Sequence, residues 1–376
     1  MELKYGLISA DDHVQEHPEV WTSRMSKEKW GDRIPHIERQ PDGKDCWLID
    51  GHRIGFSEPA IASVPAGEGR KEPSTWEDVP AMAYNPHERV KALDVNQVDY
   101  SVLYPTVAGL AAEAFGRIDN TDLEIACVQA YNDWLIEEWA SVSQRFVPQC
   151  IVPIWPMQRT VEEIKRAVGK GHKGVIFPAS PMELRDVPHI NELAYDPLWT
   201  ICQDLNVPIC FHAGASPKIQ LKPGESFSPP IAAAFRSIVR SVSSIAVLAN
   251  FLFSKILYRF PNLKVVFAES SLGWGAYELE YADYQSAADG LQSEGYALKP
   301  SELFQRQCYF TCSYDRASLR VRRYLGSSNI LWSTHLPLAA STWPNTHRQI
   351  ELSFNVIGTD EKALMLWWNA AELYSL

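Results

Sequence analysis

The sequence predicts an α/β fold, a (β/α)8 barrel of the TIM type, for this chain of 376 residues. Short runs rich in β-branched residues alternate with longer amphipathic stretches, a pattern typical of parallel strands joined by helices. The strand-like runs are apolar almost throughout, as expected where a parallel sheet is buried on both faces. There are eight of these runs, the number that this barrel requires. An open, doubly wound sheet is the alternative that the same alternation allows.

The predicted elements follow one another in chain order. The strands are predicted at 6–10, 100–105, 147–155, 174–179, 207–212, 263–269, 307–312 and 329–334. The helices are predicted at 120–142, 159–169, 189–204, 231–258, 273–289, 315–324 and 342–356.

Two insertions, 14–97 and 213–230, interrupt this rhythm. The first is rich in Pro, Gly and Trp, has little helical signal and contains a predicted hairpin at 46–56; the second is rich in Pro and Gly. Loops of this length inside a compact domain are usually functional or disordered, and the loops after the strands form the active-site face of a barrel. We therefore predict one domain, 1–376, in which both insertions cover a small-molecule, mostly apolar substrate and 213–230 is a mobile lid.

The overall composition excludes several classes of protein. The net charge of -11, without a basic stripe, argues against a nucleic-acid partner. The seven cysteines are scattered and form no C-x-x-C pair, which favours a reducing compartment. The N-terminus does not resemble a signal peptide, and we expect no apolar run of the roughly 18 residues that a membrane span needs. The sequence thus predicts a cytoplasmic protein without a membrane partner.

Residue types that bind metals occur at the ends of four predicted strands: Asp11 and His13, His212, Glu269, and His335. Side chains alternate between the two faces of a strand, so Asp11 and His13 point the same way. A single histidine at a strand end is more often a hydrogen-bonded structural residue. Four strand ends that converge on one mouth are harder to explain by packing, because buried ionisable groups are costly unless they are paired or metal-bound. We therefore predict a metal site.

His17 is a weaker candidate ligand, since it follows the first strand closely enough to reach the same mouth. A structural role and a ligand role are equally compatible with its position. The sequence has no G-x-S-x-G elbow for a nucleophilic serine, and the pattern Gly67–Gly69 follows no strand, so neither a serine hydrolase nor a dinucleotide site is supported.

These motifs resemble the amidohydrolase-related, metal-dependent family that includes aminocarboxymuconate-semialdehyde and resorcylate decarboxylases. The resemblance implies a distorted barrel with a divalent metal bound by a D-x-H-type pair on strand one, a His on strand five and an Asp on strand eight. Asp11, His13 and His212 match the first three ligands. The similar segments span most of the chain: 8–21, 98–109, 211–216, 260–274, 330–337, 341–345 and 369–376.

The chain departs from this family at positions that bear on catalysis. The strand-eight motif of the family resembles W-G-S-D-x-P-H, whereas this chain has His335 in place of the Asp and Leu338 in place of the His. Many relatives have a catalytic His where this chain has Glu269, and often a Pro where it has His17. These departures resemble a branch of the family that binds two irons, or iron and manganese, and hydroxylates its substrate with dioxygen.

Three functions follow from the resemblance and its departures. The first is a non-haem dinuclear iron or Mn/Fe monooxygenase, in which Asp11, His13 and His212 bind one metal, Glu269 bridges, and His335 with His17 binds the second. The second is a mononuclear hydrolase or decarboxylase, for which zinc is the alternative metal. The third is a non-catalytic subunit that pairs with an active homologue. In the first two, Glu269 and His335 are the predicted catalytic residues, and we expect a homo-oligomer or a hetero-oligomer with a homologous subunit.

Overall fold

The computed structural model describes residues 2–55, 73–215, 227–338 and 341–376. Its strands are β1 (Ile8–His13), β2 (His36–Arg39), β3 (Asp45–Ile49), β4 (His52–Gly55), β5 (Tyr100–Tyr104), β6 (Phe146–Pro148), β7 (Cys150–Ile151), β8 (Val175–Ile176), β9 (Ile209–His212), β10 (Val265–Ala268), β11 (Cys308–Cys312) and β12 (Ile330–Trp332).

The helices lie mainly between the barrel strands. They are α1 (Glu19–Thr22), α2 (Lys27–Trp30), α3 (Ala81–Tyr84), α4 (Pro86–Asn96), α5 (Glu113–Gly116), α6 (Thr121–Trp134), α7 (Met157–Lys170), α8 (Asp196–Asp204), α9 (Pro229–Val239), α10 (Val242–Phe253), α11 (Ile256–Arg259), α12 (Gly273–Ala288), α13 (Pro300–Gln307), α14 (Thr346–Ser353), α15 (Thr359–Ala363) and α16 (Asn369–Leu373).

The barrel strands are parallel and follow one another in sequence order, which confirms the predicted (β/α)8 barrel. The hydrogen-bonded order is β1-β5-β6 in one sheet and β12-β11-β10-β9-β8-β7 in the other. β6 and β7 are two parts of one strand interrupted at Gln149. The barrel closes between β1 and the end of β12, where the amide of His335 donates to the carbonyl of Asp11 at 3.1 Å and that of His13 donates to the carbonyl of Leu336 at 2.7 Å.

The helices pack on the barrel through aromatic side chains. Phe251 of α10 contacts Phe211 of β9, Phe267 of β10 and Trp199 of α8, with ring centroids 5.0 to 6.3 Å apart. Phe267 and Phe310 continue this layer into β11 at 5.4 Å. These contacts hold α8 and α10 against the strands that carry His212 and Glu269.

The insertion at 14–97 contains more regular structure than its sequence predicts. α4 lies within it, and the predicted hairpin is part of a three-stranded antiparallel sheet, β2-β3-β4. α4 begins with an N-cap, since the Asn85 side chain accepts from the amides of His87 and Glu88. The prediction missed it because its apolar and charged residues are not segregated onto opposite faces. Residues 56–72 of this insertion, and 216–226 of the predicted lid, lie outside the described residues.

One helical stretch, Ala234–Phe253, is long and apolar enough to cross a membrane by length and composition alone. The prediction that no such run exists was therefore wrong. The stretch spans the end of α9 and all of α10, and its buried residues Val247, Leu248 and Leu252 belong to the barrel's hydrophobic core.

The closing seam of the barrel is organised by the buried carboxylate of Asp12. It accepts hydrogen bonds from the hydroxyls of Ser9 at 2.8 Å, Ser101 at 2.6 Å and Thr334 at 2.6 Å. It also accepts the amide of Leu336 at 2.9 Å. One side chain thus joins β1, β5 and the segment after β12, and it points away from Asp11 and His13, as the strand alternation predicts.

The carboxylate of Glu278 on α12, a partly buried residue, lacks comparable partners. Its two carboxylate oxygens are buried and make no well-formed hydrogen bond within the described part of the chain. Burial raises the pKa of Glu278 to about 8, and the backbone near Ala249 offsets this only in part. Because the folded-state pKa is higher than that of the unfolded chain, folding favours the protonated form, and stability is lost as the pH rises towards 8.

We expect Asp12→Asn to lower the free energy of unfolding by more than about 2 kcal/mol. The side-chain NH2 of the new Asn is a donor, and it would face the hydroxyl and amide groups that donate to Asp12. Urea denaturation followed by circular dichroism measures the change. Asp204→Asn, at an exposed position at the end of α8, is the control and should stay within about 0.5 kcal/mol of the wild type. Equal stability of the two variants would contradict the role given to Asp12.

We expect Glu278→Gln to stabilise the protein by about 1 kcal/mol at pH 9 and to have little effect at pH 4, since it removes a charge that burial disfavours. The figure is small because the side chain is only partly buried. Thermal denaturation across this pH range tests the expectation, with Glu280→Gln at an exposed position of the same helix as the control. A stabilisation that is independent of pH would show that ionisation of Glu278 is not the cause.

Candidate metal centre

Four side chains from three strand ends meet at the C-terminal mouth of the barrel. Asp11 and His13 lie at the end of β1, His212 ends β9, and His335 follows β12; all four are buried. One potential ligand atom of each lies within 4.8 Å of those of the others. The Nε2 atoms of His13 and His212 are 3.2 Å apart, and the Nε2 of His335 is 3.6 Å from Oδ2 of Asp11. This cluster has the size of the ligand shell of one ion.

Backbone carbonyls orient two of the three imidazoles. Nδ1 of His13 lies 2.8 Å from the carbonyl oxygen of Pro105, and Nδ1 of His212 lies 2.8 Å from that of Ala213. A ring that donates from Nδ1 keeps its Nε2 lone pair for a metal. Oδ1 of Asp11 and Nε2 of His335 are buried without a hydrogen-bond partner among the described residues. Such atoms are costly unless something binds them, so the donor set fits a divalent cation.

The protonation states of Asp11 and His13 agree with this. Burial raises the pKa of Asp11, but His335 and His212 outweigh burial and leave that pKa well below its usual value. Burial lowers the pKa of His13 to about 4. At neutral pH, therefore, Asp11 is a carboxylate and His13 is neutral, which are the forms that bind metals.

Glu269 lies beside the cluster, on the side of the imidazoles that faces away from Asp11. Its carboxylate oxygens are 3.4 Å from Nδ1 of His335 and 3.9 Å from Nδ1 of His212. Both oxygens also accept from Nη1 of Arg240, at 2.8 and 2.6 Å. Burial raises the pKa of Glu269, but Arg240 and the imidazoles outweigh burial, so that the pKa is lowered and Glu269 is an anion.

Backbone geometry at the mouth is unusual. Glu269, Ser271 and His335 have φ angles of 50°, 56° and 62°, in the left-handed region that residues with a side chain rarely adopt. The amide of Glu269 donates to Oδ2 of Asp11 at 2.9 Å and to the Thr311 hydroxyl at 2.7 Å, which helps to hold this turn. Such conformations cluster at functional sites.

The structure does not bring His17 into this group. Its ring packs edge-on against Trp76, with centroids 5.2 Å apart, and lies 5.9 Å from Tyr84. Its Nδ1 accepts the amide of Glu19 at 3.3 Å. Of the six predicted site residues, Asp11, His13, His212 and His335 thus form the cluster, Glu269 lies beside it, and His17 lies in an aromatic environment.

Sequence reasoning missed Arg240, which lies between α9 and α10 within the predicted helix 231–258. The available signal was a single charged residue in an otherwise uncharged stretch, SIVRSVSSIAVL. It is buried against Glu269, and together they border a cavity of about 200 Å³ beside His335.

Comparison with known proteins finds the same fold in solved structures. No curated protein matches the chain. A solved amidohydrolase from Mycobacterium avium subsp. paratuberculosis K-10 is 18% identical, covers 100% of this chain and 99% of its own, and has a TM-score of 0.79.

Two solved decarboxylases share the same fold. A dihydroxybenzoic acid decarboxylase from Polaromonas sp. JS666, with bound manganese and the inhibitor 2-nitroresorcinol, is 16% identical and has a TM-score of 0.66; 99% of this chain and 98% of that chain are covered. A 2,6-dihydroxybenzoate decarboxylase from Rhizobium is also 16% identical, with 99% of each chain covered and a TM-score of 0.66. The buried cluster itself supports a divalent metal at this mouth.

The family model described as amidohydrolase matches residues 76–376, which is most of the chain and includes His212, Glu269 and His335. This protein therefore belongs to the amidohydrolase family.

Proposed function

We propose that this chain is a mononuclear divalent-metal enzyme that decarboxylates a small carboxylic acid. The observation that carries the proposal is the cluster of Asp11, His13, His212 and His335, in which buried donor atoms converge. Two of these atoms, Oδ1 of Asp11 and Nε2 of His335, have no hydrogen-bond partner among the described residues. Three imidazoles and one carboxylate suit manganese, iron or zinc. We favour manganese, because solved neighbours with this fold hold it.

The surroundings of Glu269 favour one ion over two. A second metal bridged by Glu269 would need its carboxylate oxygens, and both are engaged by the Arg240 guanidinium. A guanidinium stays protonated in proteins, so this cation persists at every working pH. His17, the other ligand predicted for a second metal, lies against Trp76 and Tyr84. These contacts argue against the dinuclear monooxygenase, while the converging donor atoms argue against a non-catalytic subunit.

The charges at the mouth favour an anionic substrate. Asp11 and Glu269 are carboxylates, and Arg240 is a cation. A bound divalent ion leaves the mouth with a net positive charge, and when bound it polarises substrate oxygens or lowers the pKa of water. A carboxylate would therefore be attracted to the cavity beside His335.

Glu269 is the group that we assign to proton transfer. It borders the cavity and lies 3.4 Å from His335. Loss of carbon dioxide leaves an electron pair on the substrate carbon, which must receive a proton. Glu269 can relay that proton from a water in the cavity to the carbon through a carboxylate oxygen, and the hydroxide that remains combines with the released carbon dioxide as bicarbonate.

A second candidate function, hydrolysis, is favoured by the lowered pKa of Glu269. An anionic carboxylate beside the cavity is suited to deprotonate an attacking water. A substrate labelled with ¹³C in its carboxyl group separates the two reactions, because decarboxylation releases the label as carbon dioxide and hydrolysis keeps it in the product.

We expect His335→Ala to weaken manganese binding by more than the roughly 10–100-fold that loss of an outer-shell partner costs. Its Nε2 is one of the four converging donors, so the remaining set is incomplete. Metal titration of the purified variant measures the effect. The control is His172→Ala, a buried histidine outside the cluster, with circular dichroism to check that both variants fold. Full metal content in His335→Ala would contradict the assignment.

We expect Glu269→Gln to lower kcat by roughly 10²–10⁴-fold, the usual contribution of a general acid–base group, while the metal content stays at the wild-type level. The rate of product formation gives kcat, and elemental analysis of the same preparation gives the metal content. Glu280→Gln, at an exposed position, is the control. Loss of metal from Glu269→Gln would make Glu269 a ligand and would overturn the proton-transfer role.

A further inference from the structure

The cavity beside the metal centre is lined mainly by hydroxyl groups. It has a volume of about 200 Å³ and adjoins His335, Glu269 and Arg240. Its walls come from the α9–α10 junction, the turn after β10 and the ends of β11 and β12. The hydroxyl-bearing residues are Ser237, Ser241, Ser271, Thr311, Ser313 and Ser333.

Three of these hydroxyls are available to a ligand. The side chains of Ser241, Ser271 and Ser313 make no hydrogen bond to the residues that the structure describes. Ser271 is placed by the left-handed turn that begins at Glu269. Thr311 differs, because its hydroxyl accepts the amide of Glu269 at 2.7 Å and so supports the turn itself. The cavity therefore presents free donors and acceptors from three separate segments of its wall.

Arg240 adds a cation to this wall. Only its Nη1 engages Glu269, and its Nε and Nη2 make no hydrogen bond within the described ranges. Its side chain is 17% exposed and borders the cavity. A guanidinium with free N–H groups binds a carboxylate through charge-assisted hydrogen bonds.

Apolar surface suited to a ring is scarce in this cavity. Apart from the imidazole of His335, no aromatic side chain of the described residues lines it, and the apolar side chains among its lining residues are those of Ile238 and Cys312. Aromatic ligands normally bury their faces against apolar or aromatic side chains. A ring placed here would leave several hydroxyls without partners, and each unmade bond costs affinity.

We propose that the substrate is a small, non-aromatic hydroxycarboxylic acid, whose carboxylate is bound by Arg240 and whose hydroxyls are bound by Ser241, Ser271 and Ser313. This inference rests on the proposed function for the location of the reacting centre. It differs from the solved neighbours, whose names refer to dihydroxybenzoic acids. Arg240 is then a specificity-determining residue.

Isothermal titration calorimetry of the manganese-loaded protein tests the proposal with four probes. L-tartrate and D-glycerate carry both a carboxylate and hydroxyls, glycerol lacks the carboxylate, and 2,6-dihydroxybenzoate has the aromatic ring. We expect tartrate or glycerate to bind at least tenfold more tightly than glycerol and 2,6-dihydroxybenzoate. Equal or tighter binding of 2,6-dihydroxybenzoate would overturn the inference.

Two sets of variants identify the residues responsible. Arg240→Met should weaken binding of the hydroxy acid by about 10- to 100-fold, the range for a charged hydrogen-bonding partner, and Arg240→Lys should weaken it less. Arg117→Met, exposed and outside the cavity, should bind as the wild type does. Ser313→Ala should weaken binding of the hydroxy acid several-fold. It should not affect binding of an acid without hydroxyl groups, such as acetate. Unchanged affinity in Arg240→Met would remove Arg240 from the site.

Metal content, measured on the same samples, separates this proposal from the proposed function. Wild-type protein that binds no divalent metal refutes the proposed function before any probe is added. If the protein binds one metal and releases carbon dioxide from 2,6-dihydroxybenzoate, the result supports the proposed function and refutes the proposed substrate class. Protein that binds one metal and prefers the hydroxy acids supports both.

Discussion

The closing seam between β1 and the segment after β12 is the constraint on which the site depends. The amide of His335 donates to the carbonyl of Asp11, and the amide of His13 donates to the carbonyl of Leu336. These two bonds fix the first and last strand ends against each other. The same bonds therefore close the barrel and set the spacing of Asp11, His13 and His335, because these three residues provide both the paired backbone groups and the metal-binding side chains. The buried carboxylate of Asp12 reinforces the seam from its other side.

Electrostatics at the mouth follow from this placement. Asp11 lies among three imidazoles, and Glu269 lies behind two of them, where Arg240 balances its charge. Two carboxylates in one buried site repel unless each has its own cation. The guanidinium of Arg240 is the cation paired with Glu269, and the converging donor atoms around Asp11 leave room for a metal. The left-handed turns at Glu269, Ser271 and His335 carry a cost of order 1–3 kcal/mol each, which the surrounding hydrogen bonds must offset.

Much of the barrel and four of the site residues could be predicted, because both depend on local patterns. Apolar runs mark buried parallel strands, and ligand-type residues at strand ends must converge when the strands close into a barrel. Other features depend on tertiary packing. Arg240 lies at the junction of α9 and α10, and its distance from Glu269 is set by the packing of α10 on β9 and β10. His17 lies near β1 in sequence, yet its ring packs against Trp76. α4 depends on its cap at Asn85 rather than on an amphipathic face.

The central claim is that this mouth holds one divalent ion. The most direct measurement is elemental analysis of wild-type protein purified from cells supplemented with manganese, iron and zinc, with protein concentration determined by quantitative amino-acid analysis. The account predicts one equivalent of divalent metal per chain, because the four donors form one ligand shell and Arg240 occupies both oxygens of Glu269. Two equivalents of metal per chain, or none, would contradict it.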